Sequence, residues 1–388
     1  MKEKRFKNTD WVVLIISLIL LGIGLIALYS ATQNTELDEF KKQIQWAIFS
    51  IPFLVIVYFV DYKLIVKFSP VLYILFILLL VGVLFTKPIN GARSWYKIGD
   101  SLALQPSELA KIIVIMFMAF ILYKLQLKGK REINKPWKLV VYAIFWALPI
   151  FLIYKQPDLG TALSYATAML FMLFVSGLDK KYMVLAVIIV VMCTPYVVQH
   201  LPAHARARIE IFKDPESDPR GLGYNLIQSK LAIGAGQFLG MGVLKGNQTQ
   251  LGYLSPKTTD FIYSVIGEEM GFIVSSTIVV LYVILITKAI GIGKNAEDSI
   301  GSYIATGIAG ILFFHMIENI GMTIGLLPIT GVPLPFVSYG GSSLITNFIC
   351  IGLLLNISSR RKKGLSYNSK FNMYGNWKGT LLVLFKFL

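Results

Sequence analysis

The chain has 388 residues and a formal net charge of +16, with 55% hydrophobic and only 15% charged residues. This composition excludes a single soluble domain, because soluble cores stop growing near roughly 250 residues and their surfaces carry more charge. The positive charge alone would suit a nucleic-acid-binding protein. The hydrophobic content instead indicates a membrane protein that binds no nucleic acid.

Apolar stretches recur along the sequence, and about ten of them are long enough to cross ~30 Å of hydrocarbon. Lipid offers no partner to unpaired backbone groups, so we predict an all-α polytopic bundle. The predicted spans are 11–31, 44–60, 68–86, 108–126, 139–154, 159–177, 182–199, 261–287, 300–320 and 338–357. We expect the first to be a retained span and not a cleaved signal, because it is long and Tyr29 stands where a small residue is needed.

Basic residues sort by side and predict the orientation of the bundle. Twenty Lys and Arg residues lie on one side, in 1–10, 61–67, 124–138, 179–181, 288–299 and 358–364, and six lie in the short loops of the other side. The positive-inside rule therefore places both termini in the cytoplasm and the long loop between spans 7 and 8, about residues 200–260, outside. We treat residues 1–363 as one membrane domain and 364–388 as a cytoplasmic tail.

Three outward segments, 90–107, 203–260 and 321–341, are rich in glycine, proline and polar residues. Prolines prevent one continuous helix over 327–335. Irregular backbone at membrane depth is tolerated only where protein or a water-filled cavity covers it. We therefore expect the functional site among these segments.

Charged residues within the spans are costly in lipid and indicate function by default. Glu108 and Lys111 are three residues apart on one helix face, so they either serve a site or only neutralise each other. Glu268 and Glu269 lie further inside span 8. For both we expect a mainly structural role, through pairing to another helix.

Two aspartates stand at the outer ends of spans. Asp158 either caps span 6 or belongs to a site. Asp260 follows the long loop and opens span 8, where it is either a helix cap or a base. Partial burial at the membrane boundary raises a carboxyl pKa and suits it to act as a base near neutral pH.

Basic residues of the outer segments could clamp a diphosphate or could simply be solvated charges. They are Arg93, Lys97, Arg206, Arg208, Arg220 and Lys230. Trp95 and Tyr96 fit an interfacial aromatic belt first and a sugar platform second. His315 is a lone histidine within a span, and no metal-ligand spacing occurs.

Short motifs recur in a fixed order up to about residue 360. They read GARSW at 91–95, QPSELAK at 105–111, QPDLGT at 156–161, TDFI at 259–262, GEE at 267–269, NIGM at 319–322, PLPF at 333–336 and SYGGSS at 338–343. In this order they resemble the SEDS family (shape, elongation, division and sporulation). DPESDP at 214–219 and YNLIQSKLAIG at 224–234 are similar to its RodA branch more than to its FtsW branch.

The resemblance implies a peptidoglycan glycosyltransferase that polymerises lipid II, at the outer face of the bacterial cytoplasmic membrane during elongation and shape maintenance. It implies a class B penicillin-binding protein, a transpeptidase, and the elongation machinery as partners. It also implies that Asp260 is the essential catalytic aspartate. One departure is Thr258, which stands where the family usually has a histidine.

Other residues are expected to bind substrate or support the site. They are Arg93, Trp95, Lys97, Glu108, Lys111, Asp158, Arg206, Arg208, Gln228, Lys230, Glu268, Ser338 and Tyr339. Basic side chains, or a divalent cation such as Mg²⁺ or Mn²⁺, would stabilise the departing diphosphate. Two other functions stay open, a lipid II flippase with a polar path through the spans and a non-catalytic scaffold for a transpeptidase.

Overall fold

The computed structural model describes residues 2–88, 92–98, 102–199, 203–218 and 221–361, which are almost wholly helical. The helices are α1 (Lys2–Asn8), α2 (Val12–Ala31), α3 (Asp38–Phe59), α4 (Tyr62–Gly82), α5 (Pro106–Leu125), α6 (Pro136–Lys155), α7 (Leu159–Val175), α8 (Lys180–Gln199), α9 (Ala203–Lys213), α10 (Leu222–Ala235), α11 (Asn247–Gln250), α12 (Ile262–Lys294), α13 (Ser299–Thr323) and α14 (Gly341–Ser359). Two short strands, β1 (Tyr96–Ile98) and β2 (Leu102–Leu104), pair antiparallel.

All ten predicted spans coincide with helices, namely α2 to α8 and α12 to α14. Within the described residues, seven helices are long and apolar enough to cross a membrane, and α7 is a shorter apolar helix. The seven are α2, α3, α4, α6, α12, α13 and α14. The prediction of a polytopic helical membrane protein is confirmed. Of these seven, α13 and α14 are the most enclosed by the rest of the protein.

Charged contacts join three chain segments at the end predicted to be cytoplasmic. Asp61 caps α4 by accepting from the Lys63 amide at 2.9 Å. Lys63 Nζ lies 3.1 Å from a carboxylate oxygen of Asp298, which caps α13. Arg360 at the end of α14 donates to Asp61. The starts of α4 and α13 and the end of α14 therefore lie together at this end of the bundle.

The outer segments contain more secondary structure than the sequence pattern indicated. The predicted long loop contains helices α9, α10 and α11, and the first outer segment contains the β1–β2 pair. The end of the predicted membrane domain, 362–363, and the tail at 364–388 lie outside the described residues. The division into domain and tail stays a prediction.

α12 is broken near its outer end at Gly271, whose φ of 76° and ψ of −173° are not helical. The loop after α10 satisfies the backbone groups that this break exposes. The Phe272 amide donates to the Gln237 carbonyl at 2.8 Å, and the Met241 amide donates to the Glu268 carbonyl at 2.9 Å. Unpaired backbone groups are costly in lipid, so the loop and the broken helix stabilise each other.

Residues 324–340 connect α13 to α14 without helix, as the prolines at 327–335 predicted. We refer to them as the 324–340 segment. Ser338 Oγ donates to the Thr259 carbonyl at 2.7 Å and accepts from the Leu334 amide at 2.8 Å. The Tyr339 amide donates to the Thr258 carbonyl at 2.9 Å. These bonds fasten the segment to the residues that precede α12.

Candidate active site

Asp260 lies just before α12, half-buried, at the outer end of the bundle. Asn319 Nδ2 donates to the backbone carbonyls of Asp260 at 3.0 Å and of Val332 at 2.9 Å, which ties Asp260 to the 324–340 segment. Its carboxylate leans over Gly331, which is exposed. The residue at the cap position of α12 is Phe261, with no side-chain cap. Asp260 therefore does not cap α12, which was the alternative to its role as a base.

Burial raises the pKa of the Asp260 carboxyl above its usual range, against the opposing effects of a Thr259 hydrogen bond and the Arg208 guanidinium. Arg208 Nη1 donates to the Thr330 carbonyl at 2.9 Å, which holds the guanidinium beside Gly331. A carboxylate with a raised pKa and a fixed cation therefore meet at an accessible point. This combination suits proton abstraction next to a departing anion.

Glu318 is a second carboxylate at the site, which the sequence analysis missed. It is 6% exposed on α13, and its Oε1 accepts from Thr330 Oγ1 at 2.8 Å. Arg208 and Glu318 therefore hold the carbonyl and the hydroxyl of the same residue. An acidic residue within an apolar span was the signal that could have identified it.

Asp158 caps α7, as one of its two expected roles required. Its Oδ1 accepts from the Thr161 amide at 3.1 Å. Its Oδ2 accepts from Gln105 Nε2 at 3.1 Å, which links α7 to the residue preceding α5. Asp158 thereby fixes two helix starts at the outer end.

Glu108 and Lys111 form the expected pair, at 2.6 Å and fully inside the bundle. Lys111 Nζ also lies 3.0 Å from His315 Nε2, and His315 Nδ1 lies 2.8 Å from the Pro333 carbonyl. His315 is the lone histidine of its span, as the sequence indicated, and the fold gives it two partners that no sequence pattern predicted. The buried Glu108–Lys111 pair is thus connected to the 324–340 segment through His315.

Glu268 and Glu269 have structural partners on other helices. Glu268 accepts from the Gln248 amide at 2.7 Å and the Thr249 amide at 3.0 Å, so it holds the start of α11. Glu269 Oε1 accepts from Ser30 Oγ of α2 at 2.7 Å. Both carboxylates support the outer loops from beneath.

Several other predicted site residues contact the backbone of neighbouring segments. Arg93 is exposed and donates to the Leu84 carbonyl beyond α4 at 3.3 Å, and exposed Arg206 donates to the Gln199 carbonyl of α8. The exposed Lys230 side chain lies against Gly325. Trp95 and Gln228 are half-buried, Lys97 is exposed, and Arg220 lies outside the described residues. The diphosphate clamp predicted for the whole basic set is therefore supported here for Arg208.

A divalent cation held by the protein needs several donor side chains in one place. The described residues contain no group of three or more His, Cys, Asp or Glu side chains that could hold a metal ion. Asp260 lies against Gly331, whereas the Glu318 carboxylate is occupied by the Thr330 hydroxyl, so only these two carboxylates are near this point among the described residues. This donor set does not fit a resident ion.

The FtsW/RodA/SpoVE family of cell cycle proteins matches residues 10–363. The chain belongs to this family. Peptidoglycan glycosyltransferase MrdB of Escherichia coli K12 is 36% identical, over 92% of the chain and 95% of that protein. A probable peptidoglycan glycosyltransferase FtsW of Trichlorobacter lovleyi is 35% identical, over 93% and 96%. The resemblance inferred from the motifs is confirmed.

A chain of known structure has a similar fold. It comes from a peptidoglycan synthase complex described as coordinating polymerization and crosslinking. The two chains superpose with a TM-score of 0.79 at 27% identity, over 92% of this chain and 99% of that one. The shared fold therefore extends over nearly the whole of both chains.

Proposed function

We infer that this family member is a peptidoglycan glycosyltransferase that polymerises lipid II into β-1,4 glycan strands. The observation that carries the proposal is the half-buried Asp260 carboxylate, with Arg208 fixed beside it, at the outer end of a membrane bundle. The motifs similar to the RodA branch support a role in elongation and shape maintenance, in the bacterial cytoplasmic membrane. The names of the relatives support the enzyme class.

In the proposed reaction Asp260 accepts the proton of the acceptor's GlcNAc 4-hydroxyl. The oxygen attacks the anomeric MurNAc carbon of the donor, and the bond from that carbon to the lipid diphosphate breaks. The α linkage inverts to β, and the lipid diphosphate leaves with the bonding electrons. A raised carboxyl pKa favours proton uptake near neutral pH.

Negative charge develops on the diphosphate as it departs, and a preorganised cation at that point lowers the barrier. We assign this role to Arg208, since a guanidinium meets phosphate oxygens in a bidentate manner. A Mg²⁺ or Mn²⁺ ion, if the reaction uses one, would be brought by the diphosphate. No step of the proposal depends on such an ion.

The chemistry of the proposed reaction indicates a partner protein and a substrate. A glycan polymerase makes strands that must be crosslinked, so a class B penicillin-binding protein within the elongation machinery is the proposed partner. The solved structure of a complex that coordinates polymerization and crosslinking supports this. Lipid II is the proposed substrate because its diphosphate and its lipid tail need a cation and a membrane, respectively.

Gel analysis of glycan chains made from labelled lipid II by the purified full chain tests the proposal. We expect Asp260→Asn to abolish polymer, because the amide keeps the size of the side chain and loses the base. Glu210→Gln is the matched control, since Glu210 is an exposed acid on α9. Polymer formed by Asp260→Asn at the normal rate would refute the assignment.

Proteoliposomes separate this activity from the two other functions. Lipid II translocation without glycan formation by the full chain would favour a flippase. Crosslinking by an added transpeptidase that is unaffected when Asp260 and Arg208 are both replaced would favour a scaffold. Glycan chains that need Asp260 support the transferase.

A further inference from the structure

We propose that His315 is a positioning residue of the transferase reaction, which joins the buried Glu108–Lys111 pair to the backbone beneath Asp260. The imidazole is 2% exposed on α13 and contacts Lys111 on one side and the Pro333 carbonyl on the other. This inference rests on the proposed function. It assigns His315 a role that neither its position in an apolar helix nor the motifs indicated.

The two contacts select one state of the imidazole. A carbonyl oxygen only accepts, so the Nδ1 atom that faces the Pro333 carbonyl carries the hydrogen. A lysine ammonium only donates, so the Nε2 atom that faces Lys111 offers its lone pair. One neutral tautomer satisfies both neighbours, and no other form of the ring does.

Three residues on one face of α13 hold the site-bearing backbone. Positions 315, 318 and 319 are spaced i, i+3 and i+4, which places them side by side on a helix. They bond to Pro333, Thr330 and Val332, respectively. Gly331 lies between these fixed residues and is the one that faces the Asp260 carboxylate. This face of α13 therefore positions the backbone that lies against the Asp260 carboxylate.

His315 differs from its two neighbours on this face because it is anchored from behind. Glu108 Oε1 fixes Lys111 at 2.6 Å, and Lys111 in turn fixes the ring at 3.0 Å. Three packed elements, α5, α13 and the 324–340 segment, are thereby linked through one imidazole. A small displacement of the reacting groups lowers the rate of the chemical step far more than it weakens substrate binding. Loss of this link is therefore expected to lower kcat.

Three substitutions separate the two bonds of the ring. His315→Asn places an amide nitrogen near the position of Nδ1 and keeps a donor for the Pro333 carbonyl. His315→Gln places a polar atom near Nε2 and keeps an acceptor for Lys111. His315→Leu keeps neither. All three are compared in purified full-length protein by lipid II polymerisation, with the rate expressed per folded protein from size exclusion and thermal melting.

We expect all three variants to lose about tenfold or more in kcat, because each breaks at least one of the two bonds that link Lys111 to the Pro333 carbonyl. The KM for lipid II is expected to change by less than about threefold in all three. A purely structural role predicts instead that activity follows the amount of folded protein. An unchanged kcat per folded protein in His315→Asn or His315→Gln, or losses confined to KM, would overturn the proposal.

The same assay keeps this inference distinct from the proposed function. Polymer from the unmodified chain, and none from Asp260→Asn, establishes the reaction before any His315 variant is interpreted. Failure of that pair overturns the transferase itself. If that pair behaves as expected but the His315 variants keep the normal kcat, only the positioning role is overturned.

Discussion

The Oδ2 atom of Asp260 lies 3.1 Å from the point that a Cβ atom on Gly331 would occupy. Gly331 also has a φ of +78°, which costs a side-chain-bearing residue about 1 kcal/mol or more. Gly331→Ala therefore strains the backbone and pushes the carboxylate away. We expect the polymerisation rate to fall at least about tenfold, measured with labelled lipid II.

Gly252 provides the matched control for this substitution. Its φ is also +78°, and nothing lies within 4 Å of the position of its Cβ atom. Gly252→Ala therefore carries the same backbone strain without touching Asp260. If both variants lost activity equally, strain alone would explain the effect, and the contact with Asp260 would have no special importance.

The charge on Asp260 is expected to lower the stability of the protein. Burial raises the pKa of its carboxyl, so the folded state binds the proton more tightly than the unfolded state does. The charged form at neutral pH therefore opposes folding, and the opposition disappears as pH falls below the ordinary aspartate range. We expect Asp260→Asn to melt at or above the temperature of the unmodified protein at neutral pH.

Thermal melting in detergent across a pH series checks this. The melting-temperature advantage of Asp260→Asn is expected to shrink on acidification, together with lost polymerisation at every pH. A variant that melts well below the unmodified protein at neutral pH would show that the carboxylate is needed for folding.

Much of this molecule followed from sequence, because the membrane restricts what the chain can do. Lipid forces helices, so all ten spans were predicted, and the positive-inside rule predicts which end of the bundle faces the cytoplasm. The prolines at 327–335 predicted the unwound segment. The position of Asp260 at a loop-to-helix boundary was likewise visible, although its neighbours Arg208 and Gly331 were not brought together by any sequence pattern.

Contacts between distant residues account for what was missed. His315 is 204 residues from Lys111, and its neighbours in sequence are apolar. Only the fold brings the two side chains together. The break at Gly271 interrupts no hydrophobic pattern, since apolar residues continue on both sides. The structure shows why this position needs a glycine, since φ is +76° and the Gly240 nitrogen lies 2.3 Å from where a Cβ atom would stand.

Gly160 allows α7 to approach the 324–340 segment. A Cβ atom there would lie 2.4 Å from Val332 Cγ1 and 3.0 Å from Thr330 Oγ1, and a β-branched side chain is stiff. We expect Gly160→Ala to displace the segment and to lower the polymerisation rate at least about fivefold. Adding Val332→Ala removes the clashing methyl group and is expected to restore part of the rate.

The control for Gly160 is Gly234→Ala in α10, where nothing lies within 4 Å of the position of the Cβ atom. Alanine favours a helix over glycine by about 0.5–1 kcal/mol, so this variant is expected to be slightly more stable and fully active. Full activity in Gly160→Ala would mean that the packing of α7 has no bearing on the site.

Ser338 fastens the unwound segment through two hydrogen bonds of one hydroxyl. Ser338→Ala leaves the buried Leu334 amide and the Thr259 carbonyl without this partner, and an unsatisfied buried group costs about 1–3 kcal/mol. We expect a lower melting temperature and slower polymerisation. Ser17→Ala is the control, because the buried Ser17 hydroxyl donates only to the Val13 carbonyl of its own helix. Equal melting temperatures in the two variants would contradict the fastening role.

The interruption of α12 also fixes how thick a bilayer the protein suits. A straight rod of 33 residues would be about 50 Å long at ~1.5 Å per residue, far beyond the ~30 Å of hydrocarbon. Beyond Gly271, residues 272–294 reach only about 35 Å, which a modest tilt accommodates. The neighbouring α2, with 20 residues, reaches about 30 Å. Both helices therefore match an ordinary membrane, and the surrounding lipid needs neither to stretch nor to thin around them.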